Sequence, residues 1–513
     1  MTEPQTTESV SKRLIKNTVY NAIGRFWGLL AGVALTPYIV GHIGIERYGI
    51  WATIGALTGY FGLIDFGIGT SFVKYIAEFY AKGEDEKISR LVVTGSVFYF
   101  VFTIVLFAAA RFFAGETLAF VKIPSHLRGE ALTVFLISIV IFGLHNALSA
   151  FDAVQTGLQR MDISNKVTVA VSVCGIIGTI FALKNGYGLV GLMVNNAAML
   201  GLAGIINILL AFKLLPGLEF TPRFFDPGML KRLLSFGYKV QVTRIAEIVT
   251  FQSDKIIIAH FLNMSMVSLY QLGNTVAAEA RHISLLLVTA LVPAVAELDA
   301  KNDRERLHEL YLRGTKYVAL VGMPLLAYVF VNAHLIVFAW MGFGYESSAL
   351  VIRVFVPCYM INILTGVGTS MALGMGRTDI MAKVCTAQML LNLILSIVLV
   401  IKMGFIGAAV ATLISLSLTS ILFIHILHGC LRYRMLPFLR EVVTVPLGSC
   451  FFAGIAIFFC NGFINARLSR PASFILLILE AAVFMAIYLP LVFKTNYLDR
   501  YDREMLAGYV GIK

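Results

Sequence analysis

The residues of this chain that could do chemistry are ionisable side chains set inside long apolar runs. Arg25 lies in an apolar run over 17–40, and Lys239, Arg244, Glu247, Asp254 and Lys255 lie in a run over 236–260. Asp65 sits in a run over 48–73, which Lys74 closes, and Glu279, Arg281 and His282 fall midway along 266–296. A charge at the centre of a bilayer-spanning helix costs about 2.5–3.5 kcal/mol on the insertion scale, so each needs a reason. Guanidinium binds phosphate in a bidentate fork, so Arg25 and Arg244, with Arg281 and Lys74, are candidates to hold an anionic group. A structural alternative stays open, in which Arg244 pairs with Glu247 one turn on and Arg25 finds a carbonyl. Asp65, Glu247 and Glu279 are candidates for taking up a coupling proton. Glu279 and His282 stand at i, i+3 on one helix face, a titratable pair or an ion pair that fixes helix packing. Asp254 and Lys255 read as a solvated pair near the outer end of their run.

These residues are positioned by a membrane architecture. The chain has 513 residues, 58% hydrophobic and 14% charged, with a mean hydropathy of +0.83. Soluble proteins carry about 25% charged residues, so a water-soluble globule is excluded, and disorder is excluded by the same hydrophobicity. Fourteen runs are each long enough to cross a ~30 Å hydrocarbon core as a helix. They cover about 17–40, 48–73, 91–113, 131–153, 166–184, 188–212, 236–260, 266–296, 314–338, 348–373, 383–402, 404–429, 442–464 and 472–493. The first is too long for a cleavable signal segment and carries Arg25. An even number of spans puts both termini on one side. About 25 Lys and Arg lie in the tails and the loops after even-numbered spans, against about 8 in the opposite loops, which sets both termini in the cytoplasm. The net charge of +12 is therefore mostly topological and not a nucleic-acid patch.

The chain also repeats itself. AEFYAKGEDEKISRL at 77–91 matches AELDAKNDRERLHEL at 296–310, an offset of 219. GLQRMDISNKV at 157–167 matches GMGRTDIMAKV at 374–384, and GLVGLMV at 188–194 matches GFIGAAV at 404–410. The repeating unit holds six spans, an even number, so both copies enter the bilayer the same way, as in the parallel repeats of secondary transporters. Arg244 falls at 25 + 219, which makes it the counterpart of Arg25. The expected fold is an all-α polytopic membrane protein of about 14 transmembrane helices, with two pseudo-twofold-related six-helix lobes and two C-terminal helices. Its expected parts are an N-terminal tail (1–16), an N-lobe (17–213), an interfacial linker (214–235), a C-lobe (236–430), two further spans (431–493) and a C-terminal tail (494–513).

Other chemistry finds no support. The chain has no GxxxxGK[ST], HExxH or GxSxG run, and its six cysteines form neither a CxxC zinc spacing nor a disulfide framework. No metal site, cofactor or covalent catalysis is implied.

The opening NTVYNAIGRFWGLLAGVALTPYIVGHIGIERYGIWATIGALTGYFGLIDFGIGTSFVKYIAEFYAKGE and the later SDKIIIAHFLNMSMVSLY (253–270) resemble polysaccharide exporters and O-antigen flippases of the Wzx type. That family sits in the superfamily that also holds the lipid II flippase and the MATE drug antiporters. The resemblance covers about 16–500 and implies two six-helix lobes working by alternating access in the bacterial cytoplasmic membrane. It implies a polyprenyl-pyrophosphate-linked oligosaccharide as cargo, a cationic cavity suited to the pyrophosphate, and ion-gradient coupling. It implies as partners the lipid bilayer, and a polymerase and glycosyltransferases of the same pathway. MATE antiporters place a carboxylate in their first helix. This chain has Arg25 there and no acid between Asn17 and Val40, which argues against a multidrug or cation antiporter. A membrane-embedded polymerase or ligase is the reading of another class, and the absence of large outer loops argues against it.

Overall fold

A computed structural model describes residues 10–63, 68–286, 288, 291–463, 469–495, 497–499 and 502. Every regular element among them is helical. The elements are α1 (Val10–Ile43), α2 (Ile45–Phe61), α3 (Ile68–Ala81), α4 (Asp85–Phe120), α5 (Arg128–Gly157), α6 (Met161–Lys184) and α7 (Gly188–Leu214). They continue with α8 (Pro227–Phe261), α9 (Met264–Ser284), α10 (Leu291–Ala300), α11 (Arg304–Val331), α12 (Ala333–Met341), α13 (Glu346–Asn362) and α14 (Gly366–Gly374). The last are α15 (Thr378–Met403), α16 (Phe405–Leu431), α17 (Met435–Phe438), α18 (Thr444–Phe463) and α19 (Arg470–Lys494).

Eleven helical stretches among the described residues are long and apolar enough to cross a membrane. The expected second, seventh and eighth spans are not in that set. The second and eighth are each built from two helices: α2 stops at Phe61 before α3 starts at Ile68, and α9 stops at Ser284 before α10 starts at Leu291. The seventh is α8, whose seven charged residues dilute its hydropathy.

Compact units divide at Ser268, into Met1–Ser268 and Leu269–Lys513. The duplication seen in the sequence is repeated in local geometry within each. Lys82 pairs with Glu78 at 2.8 Å, and its counterpart Lys301 pairs with Glu297 at 2.5 Å. Arg160 pairs with Asp162 at 3.2 Å, and Arg377 with Asp379 at 3.3 Å. The matching turns share left-handed backbone: φ is 69° at Gly83 and 54° at Asn302, 58° at Gln159 and 69° at Gly376. One copy spends a glycine where the other accepts the strain of a side chain.

In the first unit a core gathers Phe72, Ile76, Phe79, Leu91, Val92 and Tyr99 from α3 and α4 with Val154 of α5 and Leu233 of α8. Asp226 caps α8 by accepting from the backbone N–H groups of Gly228 (2.8 Å) and Met229 (3.3 Å), and Pro227 opens its first turn. The stretch expected as the end of an interfacial linker is thus the start of one continuous helix to Phe261. Leu233 is fully buried there, and its carbonyl accepts from Ser71 Oγ at 3.1 Å. Gly49 on α2 allows close packing: a Cβ would sit 1.9 Å from the Met264 carbonyl oxygen. Asp254 and Lys255 correct the sequence reading. They are 1% and 9% exposed rather than solvated, and Lys255 Nζ donates to Gln252 at 3.0 Å.

In the second unit α18 and α19 pack on α11 and α12. Tyr328 donates to the Leu477 carbonyl (2.6 Å) and Tyr488 to the Leu320 carbonyl (2.9 Å). The fully buried Asp502 binds Arg313 (2.8 Å) and Lys316 (3.4 Å) and accepts from Tyr317 Oη (2.5 Å), which ties the C-terminal segment to α11.

Candidate functional site

A polar site among the described residues lies in the second unit, where two membrane-spanning elements are interrupted. Helix α9 ends at Ser284, and α13 ends at Asn362 in a 3-10 turn over Ile363–Thr365 before α14 resumes. Interrupted spans free backbone groups and side chains for binding, as in secondary transporters. Arg281 sits within the last turn of α9. Its Nε donates to Asn362 Oδ1 at 2.6 Å, and its guanidinium lies 5.6 Å from the centroid of the Tyr359 ring. Asn362 passes the contact on, donating through Nδ2 to Ser420 Oγ of α16 at 3.1 Å. Tyr359 donates back to Asn274 Oδ1 of α9 at 3.3 Å. Three helices therefore fix one guanidinium inside a bundle, and the donors that Asn362 leaves unused can still meet an anion.

Glu279 and His282 share a face of the same helix end, with His282 Nδ1 3.7 Å from Glu279 Oε2. Each is more than a third exposed. Glu279 and His282 therefore meet on one helix face, while Arg281, two residues after Glu279, turns to Asn362 and Tyr359. Arg244 and Glu247 are both exposed, one turn apart on α8. Arg25 belongs to α1, but its side chain lies outside the described part, as does the whole of Asp65. Lys74 is exposed on α3, its Nζ 4.8 Å from the centre of the Tyr75 ring, with Arg232 4.6 Å from that same ring. It belongs to a charged cluster in which Glu78 meets Lys82 (2.8 Å) and Arg232 (3.3 Å). The Lys82 hydrogen bond foremost, and then the charges of Lys82, Arg232 and Lys74, hold the Glu78 carboxyl below the usual carboxylate range.

Sequence reasoning missed the partners. Asn362 is recognisable as a polar residue within a span, but its separation of 81 positions from Arg281 hides the contact. Glu480 was missed entirely. It is 4% exposed on α19, and neither carboxylate oxygen has a hydrogen-bond partner among the described residues. It stands between Leu477, whose carbonyl accepts from Tyr328, and Phe484, whose ring packs 5.9 Å from the Tyr328 ring. An acidic residue within a strongly apolar run is the signal that would have found it.

Among the described residues, helices alone, eleven candidate spans and a charge fixed at broken helices define a multi-pass membrane protein of transporter-like architecture. The chain belongs to the polysaccharide biosynthesis protein family, whose model matches residues 45–350. It is 22% identical over 415 residues to a putative O-antigen transporter of Shigella flexneri, covering 80% of this chain and 96% of that one. Its fold is that of the lipid II flippase MurJ in an inward closed conformation, with a TM-score of 0.73 at 14% identity over 96% of this chain and 100% of that one. A MATE multidrug transporter of the MOP superfamily, inward-facing, shares the fold with a TM-score of 0.69 at 13% identity over 80% of this chain and 94% of that one. These relatives and neighbours are transporters and flippases, not enzymes.

Proposed function

We propose that this chain is a flippase. Its cargo is a polyprenyl-pyrophosphate-linked oligosaccharide, the repeat unit of an O-antigen or exopolysaccharide, and it crosses the bacterial cytoplasmic membrane by alternating access. In this reading the lobes are 17–213 and 236–430, with 214–235 between them, 431–493 added after them and both tails cytoplasmic. Arg25, Arg244, Arg281 and Lys74 bind the anionic head of the cargo. Asp65, Glu247, Glu279 and His282 couple the cycle to an ion gradient. The lipid-linked cargo, the bilayer and the enzymes that make and polymerise the oligosaccharide are the partners.

The observation that carries this reading is a guanidinium fixed by Asn362 and Tyr359 at an interrupted membrane span. Such a group suits a pyrophosphate, and in a family of polysaccharide biosynthesis an anionic lipid carrier supplies one. The cationic first span, with no acid between Asn17 and Val40, disfavours a cationic drug as cargo. The test is complementation of a strain lacking its flippase. Arg25→Ala and Arg244→Ala each abolish surface polysaccharide at normal protein level, and Lys at either position restores part of it. Wild-type polysaccharide from both Ala variants overturns the assignment.

A further inference from the structure

The two repeated motifs converge on one pocket in the second unit, and the proposed transport site makes no use of it. A cavity of about 660 Å³ opens where α10 meets α11, α14 meets α15, and α16 ends. That volume is in the ~300–1,000 Å³ range of small-ligand sites. Arg304, Arg377, Arg432 and His308 line it against a single carboxylate, Asp299. Its floor is apolar: Leu307 and Leu427 are fully buried, and Ile380 is nearly so. Arg304 reaches Asp299 at 3.7 Å and Arg377 reaches Asp379 at 3.3 Å. Both guanidinium groups are exposed, so water already weakens the pairs and each can take a further anion.

The first copy shows that this corner is built to be covered. There the chain leaving α7 lies over the matching corner. Leu215 and Leu218 are buried with Phe79 and Ile88, and the Glu219 backbone N–H donates to Ser89 Oγ at 2.9 Å. Gly217 packs so closely that a Cβ would stand 2.6 Å from Asp85 Oδ2. In the second copy the chain leaving α16 takes another course. Arg432 caps the helix with left-handed backbone (φ 55°, ψ 39°), and α17 follows, its Phe438 stacked 5.7 Å from Tyr311. The corner stays open, and its residues have changed: Tyr80, Asp85, Ser89 and Pro216 correspond to Asp299, Arg304, His308 and Arg432. Where the first copy places peptide, the second places positive charge around an apolar floor.

We propose that this pocket binds the phosphate headgroup of an anionic membrane phospholipid. Its helix ends lie among the basic loops, which the charge asymmetry sets on the cytoplasmic side, and basic pockets between helices on that side suit such headgroups. The apolar floor of Leu307, Leu427 and Ile380 suits the acyl methylenes next to the headgroup, which a soluble phosphate lacks. The pocket shares no residue with the proposed cargo and coupling set, and its occupancy can be measured without transport.

The experiment is native mass spectrometry of the purified full chain in detergent, titrated with phosphatidylglycerol and, as the neutral control, phosphatidylcholine. The wild type retains phosphatidylglycerol in preference to phosphatidylcholine. Each basic residue near the surface is worth roughly fivefold, so Arg377→Gln/Arg432→Gln weakens phosphatidylglycerol by about thirtyfold. Asp299→Asn strengthens it by about fivefold, a gain that misfolding cannot produce. Equal affinity in wild type and both variants overturns the site. Displacement of the lipid by equimolar inorganic phosphate overturns the lipid assignment in favour of a soluble phosphate.

Discussion

The Arg281–Asn362 contact gives a prediction with a worked magnitude. A hydrogen bond to a charged group is worth about 1.5–3 kcal/mol in soluble proteins. Polar pairs between membrane helices average about 0.6 kcal/mol in double-mutant cycles, with a maximum near 1.7, because the unfolded chain in the membrane also finds partners. The 2.6 Å distance and the positive charge place this pair at the upper end, and the partial exposure of Arg281 discounts it. A coupling of about 1–1.5 kcal/mol follows for the cycle Arg281→Met, Asn362→Leu and the double variant. The single Arg281→Met change costs more, because it also loses the Tyr359 ring contact, worth about 0.5–1 kcal/mol. The assay is reversible unfolding in bicelles for all four proteins. Independent sites add within about 0.3–0.5 kcal/mol, so a coupling below about 0.3 refutes the reasoning that Asn362 positions the guanidinium.

Three further outcomes are expected. Glu480→Met raises the unfolding temperature, since each buried polar group without a partner costs about 1–3 kcal/mol, and a lower temperature would show that Glu480 has a stabilising partner. At the repeated turn, Gln159→Gly stabilises and Gly376→Ala destabilises, each by about 1–2 kcal/mol, and equal effects of the same sign would contradict the left-handed geometry. The backbone N–H of Asp502 foremost, then Arg313, hold the Asp499 carboxyl below its ordinary 3.8. A lowered folded value means that the contribution is complete above about pH 3.8 and is lost as pH falls through the lower value. Proteolysis of the C-terminal segment should therefore rise only in that acid window, and a rise near neutral pH would point to another group.

The spans and the duplication were legible because both rest on local pattern. Twenty apolar residues in a row admit one structure in a bilayer, and the Arg160/Arg377 and Lys82/Lys301 pairs recur because each is closed within four residues. Breaks in helices were harder to see. Apolar composition continues through 285–290, so the end of α9 has no hydropathy signal. Partners distant in sequence were not legible at all: nothing near Arg281 announces Asn362, and nothing near Asp254 announces that α8 buries it. The corner that the chain covers in the first unit and leaves open in the second depends on the course taken after α7 and α16, which no residue pattern specifies.

The central claim is transport of an anionic lipid-linked oligosaccharide. It is tested most directly in vesicles that contain the purified chain and a fluorescent polyprenyl-pyrophosphate-linked oligosaccharide confined at first to one leaflet. Access of a membrane-impermeant quencher reports the movement. The wild type is expected to equilibrate the lipid across both leaflets, and the double variant Arg25→Ala/Arg244→Ala to move it no faster than protein-free vesicles. A wild type as slow as protein-free vesicles, or a double variant as fast as the wild type, contradicts it.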